Sequence, residues 1–162
     1  MVGGYGGCIV NPGRVPRLQT SSRPYSAAEI NGAKIVSGFI EEAWNGPNPQ
    51  AAVGKHVTDD YLYNLGGDSK PIDGVRVNER IELGGPNDLV KLIEACRKEA
   101  PNLQVRVKQM IVSGDLVIVR LTTSGRMKKA FRLPTTAVYR VQGDEIAASW
   151  HLLDWQRLKS GS

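Results

Sequence analysis

Residues 103–154 read LQVRVKQMIVSGDLVIVRLTTSGRMKKAFRLPTTAVYRVQGDEIAASWHLLD, and this stretch decides the fold. Apolar and polar side chains alternate in four runs, at Leu103–Val112, Leu116–Thr123, Ala130–Val141 and Ile146–Asp154. A period of two is typical of strands that bury one face. Short segments containing Gly, Ser, Asp or Gln separate the runs and suit tight turns between antiparallel neighbours. The sequence therefore predicts an antiparallel meander of four strands.

The residues before this meander carry helical signals. Ser26-Ala-Ala-Glu29 has the pattern of a capping box, and apolar residues follow it at helical spacing until Asn45-Gly46-Pro47. A short second helix is predicted over 49–57 and a third over 86–100. Between them the pattern predicts a strand at Asp59–Asn64 and a loop that holds a short strand over 74–81. Helices followed by a meander predict an α+β fold, with the helices packed on one face of a curved sheet.

Three segments of different composition divide the chain. Residues 1–28 contain five glycines by position 13 and no acidic residue, which predicts an N-terminal arm. The domain proper is predicted over 29–158, and 159–162 form a C-terminal tail. The arm offers little apolar surface to offset the entropy of ordering it, so we expect it to become ordered on a partner. Its arginines and serines also match the composition of an organellar targeting segment.

Composition excludes several classes of protein. A chain of 162 residues forms one ordinary domain, and no apolar run reaches the roughly 18 residues of a membrane span. The net charge of +5 permits an anionic partner, but such a surplus is common, so nucleic-acid binding is not expected. Cys8 and Cys96 are too far apart in sequence for a metal-binding motif. We expect free thiols, no metal, and an intracellular, cytoplasmic protein unless the arm directs it to an organelle.

Five segments together carry a family resemblance. Over residues 29–158 the chain resembles the SnoaL-like polyketide cyclase branch of the NTF2-like superfamily, on the segments FIEEAWN, DDYLYN, GGPNDLVKLIEACRKEAPNLQVRV, VSGDLVIVRLT and VYRVQGDEIAASWHLLD. The resemblance implies a cone, in which about three helices wrap a strongly curved antiparallel sheet of four to six strands around an apolar pocket. It also implies a homodimer through the open face of the sheet. Members include aldol cyclases, and the superfamily includes isomerases, epoxide hydrolases and domains without chemistry, so the fold does not determine function.

His151 is the candidate catalytic residue. Alternation places Ala147, Ser149 and His151 on one face of the last strand. The family segment runs Glu-His-Trp-Asp, and matching its tryptophan to Trp150 puts His151 where the resembling cyclases carry their catalytic carboxylate. A histidine at that point can act as base or as hydrogen-bond donor to an enolate. The alternative is a histidine that packs in the core or at an interface.

The strand at Asp59–Asn64 supplies further candidates. By alternation Asp60, Leu62 and Asn64 share a face, and the resemblance puts a pocket histidine at the position of Asn64. Asn64 can orient a carbonyl group but cannot take a proton. Tyr61 and Tyr63 lie on the opposite face and are expected to pack against helices, although the phenol of Tyr63 would suit an enolate.

The other predicted substrate-binding residues are Arg120, Ser149, Thr136 and Trp44. An inward Arg120 could clamp an anion, whereas an outward one would be solvated or lie in an interface. Three functions remain open. The first is an acid/base enzyme of the cyclase or isomerase type that needs no cofactor and acts on an apolar carbonyl compound. The second is a catalytically silent interaction module or accessory subunit that docks a partner protein through the arm and the sheet, and the third is a binder of a small apolar molecule.

Overall fold

The computed structural model describes residues 18–19, 21–65 and 81–152. Most of the predicted arm, the C-terminal tail and Cys8 lie outside these residues. Of the strand predicted over 74–81, only Ile81 is described. The division into arm, domain and tail therefore stays a prediction.

Three helices and six strands form the described part of the chain. The helices are α1 (Ala27–Phe39), α2 (Pro49–His56) and α3 (Gly85–Glu99), and a π-helical segment, Ile40–Asn45, continues α1. The strands are β1 (Val57–Leu65), β2 (Ile81–Gly84), β3 (Gln104–Ser113), β4 (Leu116–Arg126), β5 (Ala130–Gln142) and β6 (Glu145–Leu152). The predicted α+β fold is confirmed.

All six strands belong to one sheet, in the order β2-β1-β6-β5-β4-β3. The meander β3–β6 is antiparallel as predicted, whereas β1 pairs in parallel with β6. Gly114 and Gly143 stand in the β3–β4 and β5–β6 turns with φ of 60°, a conformation that glycine adopts without a steric penalty. These two-residue turns fix the register of the hairpins.

Breaks in register help to curve the sheet. The pairing shifts between Val107 and Gln109 on β3, and between Arg140 and Val141 where β5 meets β6. A third shift lies between Val57 and Leu62 on β1. A bulge inserts an unpaired residue, which bends its strand and increases the local twist. The sheet therefore curves around the side chains of its inner face.

The helices pack against that inner face and bury the core. Phe39, Ile40, Tyr61, Ile93 and Tyr139 are among its largest fully buried side chains. The capping box predicted for α1 is present, with the Ser26 Oγ accepting from the backbone N–H of Glu29 at 3.1 Å and the Glu29 carboxylate accepting from the N–H of Ser26 at 2.8 Å. Among the described residues no helix is long and apolar enough to cross a membrane.

Residues 18–19 of the predicted arm lie against the domain itself. Leu18 is buried and forms an isolated parallel β-bridge with Met110 on the outer edge of β3. There the N–H of Gln19 donates to the carbonyl of Met110 at 2.7 Å. This contact covers part of a sheet edge that would otherwise expose unpaired backbone groups.

Candidate functional site

A cavity lies between the helices and the inner face of the sheet. It is partly open to solvent, and the space inside it together with its mouth is about 400 Å³. Its enclosed part is about 30 Å³, room for about two water molecules. The residues that line it are Trp44, Tyr63, Leu103, Val105, Leu121, Thr123, Thr135, Tyr139 and His151. The lining is thus mainly apolar and aromatic, and none of these nine side chains is acidic.

Pairing between strands brings His151 and two tyrosines together. His151 on β6 is the cross-strand partner of Ala137 on β5, and Tyr139 stands two residues further along the same face of β5. The ring of Tyr63 stacks on the imidazole of His151 with centroids 4.6 Å apart, and the ring of Tyr139 meets it edge-on at 5.5 Å. The imidazole is therefore held between aromatic rings.

Burial controls the protonation of His151. The residue is buried, and the loss of hydration lowers the pKa of its imidazole from the ordinary 6.5 to about 4. None of the nine described side chains that line the cavity is acidic, so none of them counters that loss. His151 is accordingly neutral at pH 7, with one ring nitrogen protonated and the other free to accept a proton or a hydrogen bond.

A buried chain of hydroxyl groups holds one nitrogen of this ring. His151 Nε2 lies 3.0 Å from Ser149 Oγ, which lies 2.5 Å from the hydroxyl of Tyr61. Ser149 is fully buried and Tyr61 almost so. Burial raises the pKa of Tyr61, while its hydrogen bond to Ser149 acts in the opposite direction. The phenol therefore stays protonated, and the hydrogen bond to Ser149 occupies Nε2, so Nδ1 is the ring nitrogen outside this chain.

Two other hydroxyl groups in the cavity have no hydrogen-bond partner among the described residues. Tyr139 Oη and Thr135 Oγ1 are buried, and neither forms a hydrogen bond with any described residue. Burial raises the pKa of Tyr139 well above 10, so its phenol keeps its proton. The cavity thus presents two unsatisfied hydroxyls as well as the imidazole.

The π-helical segment places Trp44 at the cavity. Its last residue, Asn45, pairs with the edge of β3, donating from Nδ2 to the carbonyl of Val105 and accepting its N–H at Oδ1, both at 2.8 Å. Arg97 on α3 donates from Nε and Nη2 to the carbonyl of Trp44, at 3.2 and 2.5 Å. These bonds hold the backbone around Trp44, whose side chain lines the cavity together with Val105 and Leu103.

The structure divides the seven predicted site residues into three groups. His151, Tyr63 and Trp44 line the cavity. Ser149 lies behind His151 and bonds to it. The other three, Asn64, Arg120 and Thr136, are not among the lining residues.

The face assigned to β1 must be corrected. Tyr61 and Tyr63 are buried on the inner face, so alternation turns Asp60, Leu62 and Asn64 outward. Asn64 is half-buried there and donates from Nδ2 to the carbonyl of Ser149 at 3.1 Å. The amide thus supports the backbone of β6 and does not face the cavity.

Arg120 and Thr136 lie together on the outer face of the sheet. They are cross-strand partners on β4 and β5, and Arg120 donates to Gln109 Oε1 at 3.0 Å. With Lys108 they line a polar groove, whose space together with its mouth is about 560 Å³. Thr136 faces outward because alternation along β5 turns Thr135, Ala137 and Tyr139 inward. The unpaired Ala147 on β6 turns His151 inward as well: an unbroken register would pair His151 with Thr136, whereas the shift makes Ala137 its partner.

Sequence reasoning did not single out the two unpartnered hydroxyls, Thr135 and Tyr139. Alternation along β5 from Tyr139 would have put Thr135, Ala137 and Tyr139 on one face. The bulge at Ala147 hid which of the two faces of β5 meets His151. No group of three or more His, Cys, Asp or Glu side chains suited to a metal ion occurs in 18–19, 21–65 and 81–152.

Comparison with known proteins identifies a family that the sequence matches. The family model for the SnoaL-like polyketide cyclase matches residues 34–160. No curated protein matches the chain in sequence.

Solved structures share the fold at low sequence identity. A protein described as a SnoaL-like polyketide cyclase from Jannaschia sp. CCS1 is 14% identical with a TM-score of 0.71, covering 85% of this chain and 95% of its own. A protein described as a polyketide cyclase from Bacillus cereus ATCC 10987 is 19% identical with a TM-score of 0.69, covering 89% and 88%. An LEH-like epoxide hydrolase from M. tuberculosis is 13% identical with a TM-score of 0.60, covering 83% and 90%.

Proposed function

The chain belongs to the SnoaL-like polyketide cyclase family, and on that basis we propose that it is an acid/base enzyme that needs no cofactor. Its reaction is of the cyclase or isomerase type, on an apolar compound that contains a carbonyl group. His151 is the catalytic residue. The single observation that carries the proposal is an imidazole kept neutral at pH 7 by burial in a largely apolar, partly open cavity.

The chemistry follows from the two nitrogens of His151. In the tautomer whose Nε2–H donates to Ser149 Oγ, which is the one that this mechanism requires, the ring has a free electron pair on Nδ1. That pair takes a proton from the carbon next to the substrate carbonyl, and the C–H electrons form the enolate. When the carbonyl compound has a β,γ double bond, the enolate is a dienolate that takes the proton back at the γ-carbon, which is an isomerisation. Alternatively the enolate attacks a second carbonyl group of the substrate, whose oxygen receives the proton, and a ring closes. In each case His151 returns to its neutral form.

Burial and the neutral state of the ring favour this role. A histidine with a pKa of about 4 is unprotonated at pH 7, so the base is available without prior loss of a proton. It is a weaker base than an ordinary histidine. Its effect therefore depends on the position of the substrate and on donors aimed at the developing enolate oxygen.

Exchange of α-protons tests the proposal without knowledge of the natural substrate. In D₂O an enzyme that enolises ketones replaces the α-protons of 1-tetralone by deuterium, which ¹H NMR detects. We expect the native protein to accelerate this exchange and His151→Gln to abolish the acceleration. His56→Gln is the matched control, because His56 is the other histidine of the chain and does not line the cavity. Exchange no faster with the native protein than in buffer alone would refute the enzymatic role.

The proposal includes a homodimer formed through the outer face of the sheet. Three apolar side chains on that face are exposed, Leu62 at 45%, Ile111 at 43% and Trp150 at 38%. Ile111, Ile118, Val138 and Trp150 are in register across four strands, so they form one apolar row. A second copy of this chain would cover that row.

A further inference from the structure

The two unpartnered hydroxyls of the cavity need an explanation. Tyr139 is 0% exposed and Thr135 is 7% exposed, yet neither Tyr139 Oη nor Thr135 Oγ1 has a hydrogen-bond partner among the described residues. A buried hydroxyl that has lost water and gained no partner destabilises the protein that holds it. Such groups are found where a ligand or bound water supplies the missing partner.

Tyr61 shows that the inner face of the sheet can satisfy a buried tyrosine. Tyr61 and Tyr139 are both fully buried on the inner face, and Ser149 is adjacent to both strands, paired with Tyr63 on β1 and with Tyr139 on β5. The Ser149 hydroxyl bonds to Tyr61 and His151 and not to Tyr139. Within the described structure, the hydroxyl of Tyr139 is left available.

The position of the two hydroxyls relative to His151 indicates what they bind. Thr135 and Tyr139 flank Ala137 on the inner face of β5, and Ala137 is the cross-strand partner of His151. Residues 135 and 139 are separated by about 13 Å along the strand, at about 3.3 Å per residue. The acid/base group therefore lies between two hydroxyl-bearing positions.

We propose that Tyr139 and Thr135 form two oxygen-binding positions of the cavity, on either side of His151. The ligand class is an apolar ketone that carries a second oxygen function, one oxygen accepting from the phenol of Tyr139 and the other bonding to the hydroxyl of Thr135. This proposal rests on the proposed function, because it assumes that the cavity takes a carbonyl compound. The enclosed space of about 30 Å³ takes only the oxygen-bearing part of such a ligand, so its apolar body occupies the open part of the cavity, along Trp44, Leu103 and Leu121.

Three probes of similar shape test the inference: tetralin has no oxygen, 1-tetralone has one and 4-hydroxy-1-tetralone has two. We expect the affinity of the native protein to rise in that order. Tyr139→Phe and Thr135→Val should each lower the affinity for 4-hydroxy-1-tetralone about tenfold, as the loss of one hydrogen bond predicts. Neither should change the affinity for tetralin. Equal affinity for all three probes would overturn the inference, as would unchanged binding by both variants.

Stability supplies the second measurement. Because they remove unpartnered hydroxyls, Tyr139→Phe and Thr135→Val should leave the urea midpoint unchanged or raise it. Tyr61→Phe is the matched control and should lower it, since it removes a hydroxyl that is bonded. A midpoint that falls in both cavity variants would show that their hydroxyls have internal partners, and the inference would fail. Affinity that rises with the number of ligand oxygens, without α-proton exchange, would refute only the proposed function. Conversely, α-proton exchange by the native protein together with unchanged ligand binding by Tyr139→Phe and Thr135→Val would refute only this inference.

Discussion

At the scale of the residue, the environment of His151 matters more than its identity. The sequence indicated this histidine as the acid/base candidate, because a resemblance aligned it with a catalytic carboxylate. The sequence could not show that Tyr63 stacks on the ring or that burial lowers its pKa to about 4. Both depend on pairing between β1, β5 and β6, which are distant in sequence. Local patterns do not encode such contacts.

The hydroxyl chain behind His151 can be measured by a double-mutant cycle. Ser149→Ala deprives both His151 Nε2 and the Tyr61 hydroxyl of their partner, so we expect it to cost about 1–3 kcal/mol of unfolding free energy. Tyr61→Phe leaves the bond between Ser149 and His151 and should cost less. The double variant should cost less than the sum of the two, because it leaves no phenol without a partner. Urea denaturation measures all three, and strict additivity would show that the chain is not coupled.

At the scale of the element, alternation predicted the strands well and their faces less well. The meander of β3–β6 was predicted from apolar periodicity and is confirmed. The inner face of β1 was assigned to Asp60, Leu62 and Asn64, whereas Tyr61 and Tyr63 occupy it. Alternation separates two faces but does not say which one meets the core when both carry polar and apolar groups. The bulge at Ala147 likewise leaves no signal in a simple period of two.

The start of α1 should make the fold sensitive to acid. The Glu29 carboxylate accepts hydrogen bonds from Arg23 and from the N–H groups of Ser26 and Gly114, and these bonds lower its pKa well below 4.5. A depressed pKa stabilises the fold above the unfolded pKa of about 4.3, and this stabilisation is lost as the pH falls below it. Glu29→Gln should therefore cost about 2 kcal/mol at pH 7 and less at pH 3. Thermal or urea unfolding at both pH values checks this, and an equal cost at the two values would contradict it.

Two glycines, one inside α1 and one directly after the π-helical segment, should respond in opposite ways to substitution by alanine. A Cβ at Gly32, inside α1, would lie in ordinary contact with Val117 at 3.6 Å and Val141 at 3.8 Å. Gly32→Ala should thus stabilise the protein by about 0.5–1 kcal/mol through helix propensity. A Cβ at Gly46 would overlap the backbone carbonyl of Glu42, so Gly46→Ala should destabilise it. Urea midpoints of the two variants test this prediction. Midpoints that both rise or both fall would show that the backbone at one of the two glycines differs from the described structure.

At the scale of the whole molecule, the family resemblance predicted the fold correctly but did not identify the reaction. The order of helices and strands and the family model over residues 34–160 agree with the resemblance. The solved structures that share the fold are described both as cyclases and as an epoxide hydrolase, so architecture alone does not select a reaction. Function has to be read from the few polar groups in the cavity. The dimer and the cytoplasmic location stay predictions.

The apolar row on the outer sheet face makes the dimer testable. Trp150→Glu would place a charge where a second copy is expected to pack, next to Arg140, whose guanidinium lies 5.3 Å from the centre of the indole ring. We expect native dimers at micromolar concentration and a shift of Trp150→Glu to monomers in sedimentation equilibrium. The control is Lys34→Glu, which introduces the same glutamate at an exposed position on α1 and should leave the protein dimeric. A native protein that sediments as a monomer would contradict the proposed dimer.

The central claim, that His151 is a neutral acid/base group in a cavity that takes ketones, can be tested by NMR of the histidine rings. The chain has two histidines, and His56→Gln assigns the signals. We predict that the His151 ring titrates with a pKa of about 4 and that 1-tetralone at pH 7 shifts its signals without shifting those of His56. A His151 ring that titrates near the ordinary value of 6.5 and ignores the ketone would contradict the claim.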